Sequence, residues 1–228
     1  MLTRMAIRAC FFLLLVSFAS TARSDSQTIT RDPKYPVHWW TPVPTNGVPT
    51  WEILPQEAGP GEVILSKRNE LGLLSNFAAT PFTFLGTRYA SLEGFWQMMK
   101  YPEGTNDARA TFPGLEWKLT REQVGQLTAF DAKHAGTPAD ANMKKMGITW
   151  VTFEGKRIEP RSATSDEFYN LIVEATHAKV RQKPEVQKVL LSTGDLILKP
   201  DHHQEPDAPV AWRYYEILTM IRTELQKK

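Results

Sequence analysis

LLSNFAATPFTFLGTRYASLEGFWQMMK, residues 73–100, joins a hairpin to a helix, and its reading decides the fold. FTFL and TRYAS alternate in the manner of short strands, and Gly86 between them supplies the turn. A helix is expected from Ser91 to Tyr101, stopped by Pro102. At 100° per residue, Glu93, Gln97 and Lys100 fall within about 60° of one another. Leu92, Phe95, Met98 and Met99 cover the opposite side, with Trp96 on the border. Apolar packing would therefore hold the helix, and periodicity alone aims the polar stripe at solvent. Glu93 stands in the first turn, where the helix dipole favours an ionised carboxylate.

On either side of this stretch the same rules lay out one domain, beginning near Val63. VILS (63–66) reads as a strand. Thr120 and Gln123 form a capping-box pattern for a helix ending before Gly136, and Pro138 suits the start of a short helix closed by Gly147. ITWVTFEG (148–155) has strand character. Thr164 and Glu167 offer a second capping box for a helix to about Gln182, followed by another from Pro184 and a strand in DLILK (195–199). After the polar loop PDHHQEPDAP (200–209), Pro209 suits the first turn of a terminal helix. That helix would bury Trp212, Tyr215, Leu218, Ile221 and Leu225. The expected class is α+β, predominantly α-helical, with a small antiparallel β component spanning 63–228.

Two segments precede it. Arg4 and Arg8 stand before ACFFLLLVSFAS (9–20), an apolar run shorter than the ~20 residues a membrane span needs. Small residues then fit cleavage after Ala22 or Ser24. Residues 1–24 are expected to be a secretory signal peptide, leaving a periplasmic or secreted protein with no membrane span. The single cysteine, Cys10, lies inside that segment, so the mature chain would carry no disulfide, thiolate metal site or cysteine nucleophile. Residues 25–62 are rich in Pro and Trp. The prolines oppose long helices and central strands, while Trp39, Trp40 and Trp51 are too apolar for a disordered tail. An arm wrapped on the domain is expected there, with an aromatic docking surface as the alternative. With 27 basic against 25 acidic residues and no long run of either sign, generic nucleic-acid binding is not expected.

The central stretch resembles the NADAR family (NAD- and ADP-ribose-associated), which includes N-glycosidases of riboflavin intermediates. The resemblance rests on Leu74, Ser75, Asn76 and Phe77, then Gly86 and Tyr89, then Glu93, Phe95, Trp96, Gln97 and Lys100. A second signature, AKVRQKPEVQKVLLSTGD (178–195), matches through Lys179, Gln182, Pro184, Leu190, Leu191, Thr193 and Gly194. Together they cover roughly residues 64–225. The resemblance implies a YbiA-like fold and cleavage of an N-glycosidic bond at a ribose carbon, or binding of an ADP-ribose-like ligand, with no cofactor. It puts the key carboxylate on Glu93, the stacking tryptophan on Trp150 and the helix lysine on Lys179, as phosphate partner or Schiff-base nucleophile. Asn76, Phe77, Trp96, Gln97 and Lys100 join the implied substrate-binding set. The family's acid precedes a Trp-Gly-x-Gly loop. This chain has KPDHHQEPDAPVAWRYY (199–215) without glycine, so Asp201 and Asp207 both compete for that role.

His202 and His203 invite a metal reading. Neighbouring side chains diverge, and zinc needs three or four converging ligands, so no metal site is expected and His202 is kept as a substrate contact. The function expected from all this is an exported N-glycosidase acting on a ribosylated or ADP-ribosylated small molecule. A non-catalytic nucleotide-binding module and an envelope-associated structural protein are the alternatives.

Overall fold

The computed structural model describes residues 31–227; the expected signal peptide and Cys10 lie outside the described residues. The helices are α1 (Leu92–Met98), α2 (Ala108–Thr111), α3 (Arg121–Gly125), α4 (Ala129–Met146), α5 (Glu167–Gln182), α6 (Pro184–Ser192) and α7 (Tyr214–Gln226). The strands are β1 (Glu62–Ile64), β2 (Phe82–Phe84), β3 (Thr87–Tyr89), β4 (Val151–Phe153), β5 (Lys156–Ile158) and β6 (Ile197–Lys199). They form three two-stranded ribbons among the described residues: antiparallel β2–β3 and β4–β5, and parallel β1–β6. The class is α+β and mostly helical. The β component is not purely antiparallel, because β1 and β6 are joined by nearly the whole domain and enter the ribbon side by side in the same direction.

The core gathers around Phe95, which makes edge contacts with Phe82, Phe84, Tyr89 and Phe153 from both hairpins. Tyr35, Trp39 and Trp40 of the N-terminal arm are buried in the same cluster. Their polar atoms are satisfied: the Trp39 indole donates to Glu70 Oε1 (2.7 Å) and the Trp40 indole to the Glu62 carbonyl (2.8 Å).

Four helix readings change. The Thr120 capping box forms, but α3 closes after five residues. Its successor α4 is one helix of 18 residues that runs through both Gly136 and Pro138 before ending at Gly147, which is left-handed (φ 68°). Pro138 forfeits the hydrogen bond to the carbonyl four residues back. Burial of Ala132, Ala135, Ala139 and Met143 along one stripe outweighs that loss, as tertiary packing commonly outweighs local propensity. At α5 the capping position is Asp166 rather than Thr164; the Glu167 amide is met by the Ser165 hydroxyl. At the other end of the chain, Pro209 leads into a 3-10 turn, Val210–Trp212, and α7 starts only at Tyr214.

Candidate functional site

Helix α1 has only seven residues, too few to hold itself in water, so its environment fixes it. At its start the Ser91 hydroxyl accepts from the Gly94 amide (2.9 Å) and donates to the Leu127 carbonyl (2.8 Å). At its end two buried arginines take the carbonyls that a helix leaves unpaired. Arg109 donates to Met99 O (2.9 Å), and Arg121 donates to Met98 O (3.1 Å) and Tyr101 O (2.9 Å). Gly94 lets α3 approach: a β-carbon there would lie 2.6 Å from the Leu127 carbonyl. Packing from α3, α4 and α5 surrounds α1. The polar stripe therefore does not face solvent. Glu93, Gln97 and Lys100 are all buried, and all three line a partly open cavity of about 1150 Å³.

The rest of the wall comes from distant segments. Phe130, Lys133, Thr137, Asp140 and Lys144 form one stripe of α4 facing the cavity, and Phe168 and Ile172 come from α5. The loops add Lys67, Asn76, Phe77, Arg161, His202, His203 and Trp212. Trp96 and Trp212 stand 6.1 Å apart, centroid to centroid. The Trp212 indole N–H is buried without a hydrogen-bond partner among the described residues.

Glu93 is the focal group. Its Oε1 accepts from Gln97 Nε2 (2.8 Å), and its backbone N–H donates to Asn76 O (2.9 Å). Burial pushes its carboxyl above the ordinary glutamate range, against the smaller opposing pulls of Gln97 and of Lys133 and Lys100. The helix-dipole expectation is thereby reversed in sign: a dipole at the first turn is worth less than the desolvation of a buried charge. Gln97 keeps its place because α4 has no side chain at position 136. A β-carbon on Gly136 would fall 1.9 Å from Gln97 Oε1, an atom with no hydrogen-bond partner among the described residues. Lys100 is paired with Asp140 (2.7 Å) and lies 4.5 Å over the Trp96 ring. Burial lowers its pKa, with Asp140 opposing.

Asp201 and Asp207 separate clearly. Asp207 is exposed, 3.8 Å from Arg161, and does not line the cavity. Asp201 is buried behind the wall. Its carboxylate pairs with Lys67, accepts from the Tyr214 hydroxyl (3.2 Å) and lies 3.1 Å from His202 Nδ1. Burial alone would raise its pKa, but His202 and Lys67 bring it below the usual value. Lys67, His202 and Tyr214 all reach the cavity, so Asp201 acts on it through them.

Two other sequence-derived site residues are not at the cavity. Trp150 presents its ring to Arg157 (4.3 Å) and Arg109 (5.1 Å). Strand alternation explains this: Thr149 and Val151 line the cavity, so the residue between them points away. Lys179 is fully buried and donates to the Ser75 carbonyl (2.8 Å), holding the Ser75–Asn76–Phe77 turn from behind. Burial lowers its pKa to about 7. A lysine protonated more readily unfolded than folded makes stability rise with pH. Between pH 7 and about 9.5 the wild-type chain is expected to gain on the order of 1–3 kcal/mol relative to Lys179→Met, read from urea unfolding midpoints. Parallel pH profiles for the two chains would refute this.

No protein-family model matches the chain, and no curated protein matches it. Among solved structures, it is similar to the NMR structure of the E. coli protein YbiA, at 18% identity. That likeness covers 74% of this chain and 88% of the other, with a TM-score of 0.42. Among the described residues no group of three or more His, Asp or Glu side chains is arranged to hold a metal ion.

Sequence reasoning missed Lys67, Phe130, Lys133, Arg161 and Tyr214, which carry no local signature. Trp51 and Trp212 were visible as aromatic residues, but nothing nearby in sequence tied them to Glu93.

Proposed function

We propose that this chain is an exported N-glycosidase that hydrolyses the bond between a ribosyl carbon and a nitrogen leaving group. The observation that carries the reading is Glu93: a carboxyl rigidly held and desolvated in the wall of a cavity large enough for a nucleotide-sized molecule. As the C–N bond breaks, its electron pair departs with nitrogen and positive charge develops across the ribosyl carbon and ring oxygen. A carboxylate poorly solvated by burial gains most when that cation forms beside it, so its stabilisation is specific to the transition state. Water then adds to the carbon. Its proton passes to a base, and the leaving nitrogen acquires one proton from solvent.

His202 suits the base. Its Nδ1 faces the buried Asp201 carboxylate, which favours the tautomer protonated at Nδ1 and leaves Nε2 as the acceptor. Lys133, which has no ion-pair partner among the described residues, and Arg161 supply positive charge for an anionic substrate group. The apolar run at 9–20, preceded by Arg4 and Arg8 and followed by small residues, supports action outside the cytoplasm. Incubating the purified chain with NAD, ADP-ribose and ribosylated bases, and separating products by chromatography, should reveal a free base from at least one of them. Binding without release would favour a non-catalytic nucleotide module instead. No binding and no release would overturn the proposal.

A further inference from the structure

The N-terminal arm reaches the cavity, and the manner of its attachment is informative. Trp51 lines the cavity although it lies outside the stretch that carries the two sequence signatures. Its carbonyl accepts from the His203 amide (3.0 Å), and the Ile53 amide donates to the Asp201 carbonyl (2.9 Å). Between them Glu52 forms an isolated antiparallel bridge with His202. The Glu52 carboxylate grips Arg68 through two hydrogen bonds (2.7 and 2.8 Å). A bidentate pair of this kind fixes direction as well as position. The arm is thus stitched to the same loop that carries Asp201 and His202.

Opposite Trp51 stands Phe130, with ring centroids 6.2 Å apart, and Phe77 follows at 5.3 Å from Phe130. Phe130 is held by a strained start to α4: Ala129 takes φ 50°, and its amide donates to the Phe77 carbonyl (3.0 Å). A non-glycine residue in that region costs energy, which the fixed position of the helix start offsets. Yet Trp51 and Phe130 remain 43% and 45% exposed. Lys100 already covers the Trp96 ring and Arg161 the Trp212 ring, whereas no described cation lies over Trp51 or Phe130. Two large aromatic side chains, one from the arm and one from the start of α4, stay partly exposed where they meet the cavity.

We infer that Trp51, with Phe130, is an aromatic platform donated by the arm, and that it receives a planar ring carried by the ligand. The inference rests on the reading of the cavity as a ribosyl site, which supplies the anionic and sugar parts of the same ligand. Stacking against an aromatic face tolerates any flat heterocycle, so the platform selects for the presence of a ring rather than for one ring. The arm would then be a determinant of substrate class and not only a packing element.

Calorimetric titration with adenosine 5′-monophosphate and with ribose 5-phosphate tests it, since the probes differ only in the ring. Wild type should prefer the nucleotide by about 10- to 100-fold, the usual worth of one stacked base. Trp51→Ala should erase most of that preference while leaving ribose 5-phosphate binding unchanged, and Trp51→Phe should restore much of it. Circular dichroism confirms that each variant is folded. An undiminished preference in Trp51→Ala, or failure of wild type to distinguish the two probes, would overturn the inference. Repeating the nucleotide titration in a Glu93→Gln chain, where turnover is removed, separates the two readings: the proposed hydrolysis could fail while the platform stands, and the converse.

Discussion

Glu93→Gln should lose turnover by at least ~10²–10³-fold, the scale seen when one preorganised electrostatic partner of a transition state is removed. The substitution keeps size and shape and removes only the charge that a ribosyl cation would meet. Substrate affinity should change far less than kcat, because the carboxylate's contribution belongs to the charged transition state. The fold should not suffer. A glutamate whose carboxyl is pushed up by burial contributes stability below pH 4.5, and that contribution is lost as pH rises through its folded value. At pH 7 the neutral glutamine avoids this cost, so the variant's Tm should equal or exceed that of wild type. In the wild type, kcat/KM should fall on the acid side with an apparent pKa above the ordinary glutamate value, since protonation removes the negative charge. A variant that retains full activity, or one that unfolds, would remove Glu93 from the mechanism.

The second large effect belongs to the loop. His202→Ala should lower kcat by ~10²–10⁴-fold, the range for general acid–base groups. Asp201→Asn should reproduce most of that loss without touching the substrate, because an amide no longer favours the Nδ1-protonated tautomer. It should also cost stability, on the order of 1–3 kcal/mol, since Lys67 and Tyr214 lose a charged acceptor. Asp207→Ala should behave as wild type, its carboxylate being exposed and 3.8 Å from its only described cationic partner. Steady-state rates for the three variants separate a positioning role from a structural one. A positioning role lowers kcat in Asp201→Asn with KM little changed, whereas simple destabilisation lowers the folded fraction and leaves kcat per folded chain unaltered. Activity in His202→Ala equal to wild type would send the search for the base to another cavity residue.

Much of the local order was legible along the chain. Gly86 turned the first hairpin, Ser91 capped α1, Gly147 closed α4 and the DLILK segment became β6, because each is decided by backbone chemistry within a few residues. The stripe of Glu93, Gln97 and Lys100 was legible as a stripe, since 3.6 residues per turn is a property of the helix alone. Whether the stripe met water or a cavity was not. That depended on two arginines 10 and 23 positions away in sequence holding the end of α1 against the body of the domain. It depended also on a glycine in α4 leaving room for Gln97.

The same division separates the misplaced residues from the placed ones. One step before β4 the chain turned Trp150 away from the cavity, and complete burial set Lys179 behind Ser75. Composition identified an aromatic arm, but only the bridge between Glu52 and His202 brought Trp51 to the site. Local chemistry determined which segments became helices, turns and strands. Tertiary packing decided which charges lost their water, and hence which of them are available for chemistry, because desolvation depends on what the whole chain lays over a side chain.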